Sequence, residues 1–262
     1  MRDRERIAAF LERDTRVHIY AIADLDEPYW PHTTWYAAEQ DGEIRDMCLV
    51  YTQFSPHALI ALCRLDDVAV RGVLNEVLPQ LPGELYAHIS PRLEGTIETI
   101  YRIESNRAHY KMYLIDRSKP AQVDVSRVVG LCEETGETLD AFYSQAYGDT
   151  IAGGQVFDHA MLATGQYFGI WEGDRLASTA GVHVFSPGRD VAALANIATM
   201  PEFRSRGFAK ATTARLSRSL LGHVEHLGLN VRADNVPAIR CYQKLGYEVV
   251  ASYNECSLTM RN

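Results

Sequence analysis

The 262-residue sequence lacks any apolar run of the roughly 18 to 20 residues that a membrane-spanning helix needs. Its charged start, MRDRERIAAFLERD, has too short an apolar core for a signal peptide. We therefore expect a cytoplasmic protein that does not enter a membrane.

Cysteine is sparse, and none of the five cysteines forms a C-x-x-C pair. Zinc ribbons need C-x-x-C pairs, and an odd number of widely spaced cysteines does not fit a disulfide framework. We therefore expect reduced, mostly buried thiols and no metal site. The five are Cys48, Cys63, Cys132, Cys241 and Cys256.

Positive charge is also in short supply, with 26 Lys and Arg against 34 Asp and Glu and a net charge of -8. This balance argues against nucleic acid as a partner, because phosphate binding needs a basic surface. An acidic surface suits cationic ligands such as amines, although solubility accounts for it as well. With 47% hydrophobic and 23% charged residues, the composition is that of a globular protein long enough for two domains.

The second half of the chain has the clearer pattern of elements. Helical spacing over residues 126–147, with a break near Gly136, precedes the alternating stretch YFGIWEGDRLASTAGVHVF. That stretch predicts a hairpin with its turn at EGD, and the turn SPG then leads into a third strand over residues 192–199. The remaining predicted elements are a helix from Gly207 to Gly228, the strand LNVRA, a helix over 236–245 and a closing hairpin in YEVVASYNECSLTM.

The first half repeats this order in a weaker form. A charged helix from Arg4 to Arg13 precedes the strand VHIYAI and a hairpin with its turn at Asp41 and Gly42. The apolar HALIALC, a helix from about Asp66 to Leu78, the strand ELYAHI and a closing pair in TIYRIESNRAHYKMYLID follow. We interpret this as a duplicated fold, with two unrelated α+β domains as the alternative.

These patterns predict an α/β (α+β) protein of two tandem domains, each a mixed, mostly antiparallel sheet flanked by helices. The predicted boundaries are 1–116 for the first domain, 117–125 for a linker and 126–262 for the second domain.

The segment RSRGFAKA, residues 204–211, follows the strand over 192–199 and opens a helix. Backbone N–H groups in such a turn can surround a diphosphate, because the first N–H groups of a helix have no intrahelical partner. The glycine allows a close approach of the backbone, and two arginines and a lysine add positive charge. An Arg-rich turn that only caps the helix is the alternative. The G-x-x-x-x-G-K-[ST] and G-x-G-x-x-G motifs are both absent.

Two motifs stand at plausible spacing, an R-x-x-G-x-A turn at 204–209 and an N-x-x-A-x-x-x-Y-x-K-x-G-[FY] block from Asn235 to Tyr247. Together they resemble the signature of the GCN5-related N-acetyltransferases, the GNAT superfamily, and especially its FR47-like branch. The resemblance is strong from about Tyr167 to Val250. It implies that 126–262 is a catalytic GNAT domain and that 1–116 is a degenerate GNAT-like copy.

The resemblance implies that acetyl-CoA binds as co-substrate along the strand over 192–199. Its pantetheine arm would bond the backbone of Ile197 and Thr199, and its pyrophosphate would lie on the amides of the turn. Asn235 would also reach acetyl-CoA, although the local sequence supports a helix N-cap equally well. The implied cofactor-binding residues are Ile197, Ala198, Thr199, Arg204, Ser205, Arg206, Gly207, Phe208, Ala209, Lys210 and Asn235.

Tyr242 is the catalytic acid that the resemblance implies. When an amine attacks the thioester a thiolate leaves, and a phenol with a pKa of about 10 can give it a proton. A backbone N–H at Ile197 or Ala198 would hold the oxyanion. Taken without the motif, a Tyr on an amphipathic helix is more often a core residue. Cys241 has no recognisable His and acid partners, which favours direct transfer over an acyl-enzyme.

The general base is the point at which the sequence departs from familiar members of the superfamily. Histone acetylases carry a Glu at the position of Ala193, and ribosomal-protein alanine acetylases carry one at the position of Asn230. His183, on the neighbouring strand, is the best side-chain candidate, with a buried structural histidine or a chain of water molecules as the alternatives. Weaker candidates are Asp158, His159 and Glu172.

We therefore expect an acetyl-CoA-dependent N-acetyltransferase that passes an acetyl group directly to a primary amine of a small molecule or peptide. A monomer or a homodimer is expected. The alternative, favoured by the missing Glu bases, is a CoA-binding pseudoenzyme that acts as a sensor or scaffold. A protein-interaction module without a co-substrate is a third possibility.

Overall fold

The computed structural model describes residues 1–27, 29–63, 68–147 and 157–261. The chain divides into two compact units. The first unit comprises Met1–Lys111, Arg232–Asp234 and Val250–Asn262, and the second comprises Met112–Val231 and Asn235–Val249. The last residues of the chain therefore belong to the same unit as the first. No helix in the described ranges is long and apolar enough to cross a membrane.

The first unit holds a sheet in the order β1-β2-β3-β4-β11-β5. The β1–β2 hairpin turns at Asp41 and Gly42, which both have a positive φ, and this confirms the predicted turn. Leu74 and Leu85 are fully buried in the apolar core of this unit. The elements are α1 (Arg4–Leu11), α2 (Thr15–Ala23), β1 (Thr33–Gln40), β2 (Glu43–Tyr51), β3 (His57–Ala61), α3 (Val68–Val77), β4 (Glu84–Ile89), α4 (Glu94–Ile97), β5 (Tyr101–Leu114) and β11 (Tyr247–Met260).

The second unit holds a sheet in the order β10-β9-β8-β7-β6. Strands β7, β8 and β9 pair antiparallel, and β9 pairs parallel with β10. The predicted hairpin turn at EGD and the strand over 192–199 are both confirmed. The elements are β6 (Val129–Gly130), α5 (Gly136–Tyr147), β7 (Phe168–Glu172), β8 (Arg175–Ser186), β9 (Val191–Thr199), α6 (Phe208–Leu220), β10 (His226–Arg232) and α7 (Val236–Lys244).

The two units share one order of strand pairing. In the first, β1, β2 and β3 pair antiparallel and helix α3 leads to the parallel strand β4. In the second, β7, β8 and β9 pair antiparallel and helix α6 leads to the parallel strand β10. The predicted tandem α/β architecture, with mixed sheets flanked by helices, is therefore confirmed.

Three predicted helices and strands differ from the structure. The stretch VHIYAI lies in helix α2 and not in a strand. Val17, Ile19, Ala21 and Ile22 of this helix are all buried, and a short run that is buried on several sides has no period that separates helix from strand. The helix expected over 126–147 begins only at Gly136, and the one expected to run to Gly228 ends at Leu220. Asp66, the expected start of α3, lies outside the described residues.

The two predicted closing hairpins are each a single strand, because β5 and β11 both run for 14 residues without a turn. Within the ranges that the structure describes, no residue of either strand has the positive φ that tight hairpin turns favour.

Candidate active site

Strand β9 separates from its parallel neighbour partway along its length. It pairs with β10 over four residues, the last pair being Leu194 and Leu229. The rest of β9 keeps its pairing with β8 as far as Thr199. Its other edge, which includes Ile197, has no β10 partner in the described register. An extended ligand can therefore add to this edge as a further strand.

A bulge at Asn196 accompanies this separation. The pairs Thr179–Ala198 and Gly181–Ala195 are separated by one residue on β8 but by two residues on β9. Asn196 has a φ of +52°, a left-handed conformation that Asn tolerates better than most residues. The bulge bends the strand and shifts its backbone groups away from regular pairing.

Three buried side chains hold this bulge in place. The carbonyl of Asn196 accepts hydrogen bonds from the Tyr143 hydroxyl at 2.9 Å and from Thr179 Oγ1 at 3.1 Å. Asn196 Nδ2 donates to the Tyr167 hydroxyl at 2.8 Å. Burial raises the pKa of both tyrosines, so both phenols stay protonated. The sequence reasoning missed this network, and the one local signal was an Asn in an otherwise apolar strand.

The turn between β9 and α6 is exposed from Arg204 to Gly207. Ser205 and Gly207 have φ values of +63° and +82°. Gly207 is the N-cap of α6 and makes no side-chain cap. The first helical N–H to pair is that of Ala211, which donates to the Gly207 carbonyl at 3.1 Å. The three preceding N–H groups, of Phe208 to Lys210, therefore lie at a helix start where an anion can bind them.

Cationic side chains surround this turn. The Arg206 guanidinium carbon lies 4.7 Å from the centre of the Phe208 ring, and its Nη2 lies 3.2 Å from Glu172 Oε1. Arg204 Nε donates to the Thr199 carbonyl at 3.3 Å, which ties the turn to the end of β9. The predicted cofactor-binding residues between Ile197 and Lys210 thus lie on one continuous segment, which consists of the end of β9, the turn and the start of α6.

Three of the four side-chain candidates for the base make structural contacts. Glu172 accepts a 2.6 Å bond from Arg127, which lowers the pKa of its carboxyl and makes it a weaker base. Asp158 Oδ1 accepts from the Ala160 N–H at 2.8 Å, and His159 Nε2 lies 2.8 Å from Asp140 Oδ2. Glu172, Asp158 and His159 stay the weaker candidates for the base.

His183 is half-buried in β8, at an irregularity between the pairs Val182–Leu194 and Val184–Ala193. Burial lowers the pKa of its imidazole, so the ring is neutral at pH 7 and can accept a proton. Its place beside Ala193 matches the strand predicted for it.

Helix α7 carries the second motif. Asn235 is its N-cap, because Oδ1 accepts from the Ala238 N–H at 3.3 Å, and this confirms the capping alternative. Tyr242 is buried, with its ring centre 6.3 Å from that of Tyr247. Burial raises the pKa of the Cys241 thiol, which makes it a poor nucleophile.

Asn230 lies on β10, at the position where ribosomal-protein alanine acetylases carry a Glu. It follows Leu229, the last β10 residue that pairs with β9. Its Oδ1 is buried and accepts no hydrogen bond from the described residues. Because a buried oxygen without a donor is costly, this atom suits a ligand that supplies an N–H group.

Comparison with solved structures finds related folds at low identity. A Drosophila protein superposes with a TM-score of 0.64 at 13% identity, covering 96% of this chain and 87% of its own. A tandem GNAT protein from the clavulanic acid biosynthesis pathway superposes with a TM-score of 0.54 at 13% identity, covering 98% and 95%. A protein from Novosphingobium aromaticivorans, assigned to the GNAT acetyltransferases, has a TM-score of 0.55 at 20% identity over 74% and 84%.

The comparison with curated proteins gives no match. Residues 131–247, however, match the sequence model of the acetyltransferase (GNAT) family. This range contains the separating strands, the exposed turn and the Asn235 block. Residues 131–247 therefore form a domain of the GNAT acetyltransferase family.

Proposed function

We propose that the protein is an N-acetyltransferase that transfers an acetyl group from acetyl-CoA to a primary amine of a small molecule or peptide. Members of the GNAT family use acetyl-CoA and act on such amines. One observation carries the proposal. Strand β9 leaves β10 after Leu194, immediately before an exposed, cationic helix start within the matched range.

In this proposal the two parts of the segment bind two parts of acetyl-CoA. The free edge of β9 at Ile197 and Thr199 pairs with the amides of the pantetheine arm. The N–H groups from Ser205 to Lys210 bind the pyrophosphate, where Arg206 and Lys210 neutralise its charge. Asn235 contacts the co-substrate while it caps α7.

The transfer itself is direct. The amine nitrogen attacks the thioester carbonyl, the carbon–nitrogen bond forms and the carbon–sulfur bond breaks. The N–H of Ile197 or Ala198 stabilises the oxyanion, and Tyr242 gives its proton to the leaving thiolate. The proton that the amine loses passes to neutral His183 or to water. Asn230 Oδ1 accepts a hydrogen bond from the amine and orients it.

We further propose that the first unit is a degenerate copy that does not bind acetyl-CoA between its parallel strands. Strands β3 and β4 stay paired up to Ala61 and Ile89. Beyond them, Ser90 Oγ accepts from the Cys63 N–H at 2.9 Å and donates to the Cys63 carbonyl at 3.2 Å. These bonds link the ends of β3 and β4 at the position equivalent to the one at which β9 and β10 separate in the second unit.

Other assignments rest on the sequence and stay predictions. They are the FR47-like branch, the domain boundaries 1–116 and 126–262, the cytoplasm as compartment, and a monomer or homodimer that binds neither nucleic acid nor membrane.

The test is CoA release across a panel of small amines and peptides, with Tyr242→Phe compared with Tyr110→Phe in the first unit. For an amine that is turned over, Tyr242→Phe should lower kcat by about 100-fold or more and leave the Kd for acetyl-CoA unchanged, since only proton transfer is lost. Tyr110→Phe should behave as the wild type. Acetyl-CoA binding without CoA release for any amine would contradict the enzyme and support a CoA-binding pseudoenzyme.

A further inference from the structure

The first unit contains a cavity of about 370 Å³ that the proposed reaction does not use. It lies where the parallel strands β3 and β4 end, since Cys63 follows β3 and Ser90 follows β4. Ligands of open α/β sheets commonly bind at the carboxyl ends of parallel strands. The volume is within the range of small-molecule sites.

A buried lysine lines this cavity. Lys111 is 5% exposed. Its Nζ lies 5.0 Å from the centre of the Tyr20 ring and 5.3 Å from that of the Tyr253 ring. Within the described ranges the ammonium makes no hydrogen bond and no ion pair with a carboxylate. A buried ammonium in this setting is costly unless an anion joins it.

The electrostatic surroundings keep this lysine charged near neutral pH. Burial lowers the pKa of Lys111 to about 8, and the carboxyls of Glu255 and Asp24 oppose that decrease. Burial raises the pKa of Asp24 itself to about 7, so this carboxyl carries only part of a charge at pH 7. Glu255 already contacts His88 and His109, at 3.5 and 3.4 Å.

The remaining walls combine positive charge with apolar surface. Arg16 and Arg92 add two positive charges and Asp14 one negative charge, which makes the lining positive in a chain of net charge -8. Val17, Leu62 and Val250 supply apolar surface. A cation would be repelled here, and a fully hydrated ion would leave the apolar walls uncovered.

We propose that this cavity binds a small organic monocarboxylate, with the carboxylate against Lys111 Nζ and the apolar body against Val17, Leu62 and Val250. The Lys111 ammonium, which otherwise contacts two aromatic rings, then donates a charge-assisted hydrogen bond to the carboxylate. The proposal does not depend on acetyl transfer, because it concerns the first unit alone.

Calorimetric titration of the full-length protein with benzoate, without acetyl-CoA, tests the proposal. Benzoate should bind, and benzylamine, of similar size and opposite charge, should not. Lys111→Met should weaken benzoate binding at least tenfold, because the apolar replacement keeps the volume and removes the charge. Lys119→Met, at a lysine outside the cavity whose side chain is 44% exposed, is the matched control and should bind as the wild type does.

Reductive methylation of the wild-type protein provides a readout that does not depend on how the variant folds. Saturating benzoate should slow the methylation of Lys111, measured by peptide mass, and leave that of Lys119 unchanged. Equal benzoate affinity in Lys111→Met, or no protection of Lys111, would overturn the proposal. Binding of inorganic phosphate in place of benzoate would overturn the assignment of a carboxylate.

Discussion

Replacing Gly181 with Ala should destabilise the second unit, because the Tyr167 ring occupies the space that a Cβ would need. A Cβ at Gly181 would lie 2.6 Å from Tyr167 Cδ1 and closer still to two other ring carbons. Ordinary contact begins at 3.4 Å, so the ring would have to move by about 1 Å. Tyr167 is fully buried, and its hydroxyl bonds both Asn196 Nδ2 at 2.8 Å and the Val182 carbonyl at 3.2 Å.

The expected loss follows from these contacts. Overpacking a core costs about 1 to 3 kcal/mol, and each strained hydrogen bond adds about 1 kcal/mol. We therefore expect Gly181→Ala to lower the free energy of unfolding by about 3 to 5 kcal/mol, measured by urea denaturation. Because the ring also supports the Asn196 bulge, the affinity for acetyl-CoA should fall by about tenfold in calorimetry.

Gly188→Ala is the matched control, since a Cβ there would meet no atom within 4 Å. A second arm combines Gly181→Ala with Tyr167→Ala, which removes the ring. In that background the added methyl group should cost little, so the two changes should be strongly non-additive. An unchanged urea midpoint for Gly181→Ala would refute the reasoning, because it would show that the ring can move without loss.

Three further predictions concern the turn, the cap and a buried imidazole. Arg206→Glu should raise the KM for acetyl-CoA by about tenfold or more with little change in kcat. Arg45→Glu on β2 is the control and should change neither constant. The same change in KM for both variants would argue against a phosphate site at the turn. Asn235→Ala should cost about 1 kcal/mol in urea denaturation, and Asn235→Ser should restore that stability but not the affinity for acetyl-CoA; full recovery of affinity would reduce Asn235 to a cap. Burial and nearby Lys111 lower the pKa of His18 to about 4. The stability from the neutral ring is complete above about pH 6.5 and lost as the pH falls towards 4, a decrease of about 3 kcal/mol. His18→Gln should reduce this pH dependence of the urea midpoint, and an identical dependence in both proteins would contradict the assignment.

The features that the sequence predicted well are those set by neighbouring residues. The Asp41-Gly42 turn, the start of α6 after Gly207 and the cap at Asn235 each depend on the chemistry of a few adjacent positions. The candidate site was readable for the same reason, because Arg204 to Lys210 and the block after Asn235 are continuous motifs.

The features that it missed depend on partners distant in the chain. Asn196 is held by Tyr143, Tyr167 and Thr179, which lie on three other segments, and no local spacing indicates that they meet. Likewise, Lys111 sits in a strand whose neighbouring residues gave no sign of a cavity. The misassigned helix α2 has the same cause, since burial on several sides comes from tertiary packing and removes the period that a helix on the surface would have.

The two units share one strand order but differ at the ends of their parallel strands. In each, a crossover helix brings a strand parallel to the last strand of an antiparallel set, β4 beside β3 and β10 beside β9. In the first unit, Ser90 bonds both backbone groups of Cys63 and keeps the strand ends together. In the second, the bulge at Asn196 follows the last β9–β10 pair, and its carbonyl is bonded by Tyr143 and Thr179. Different hydrogen bonds thus hold the ends of the parallel strands in the two units, and element order alone does not predict that difference.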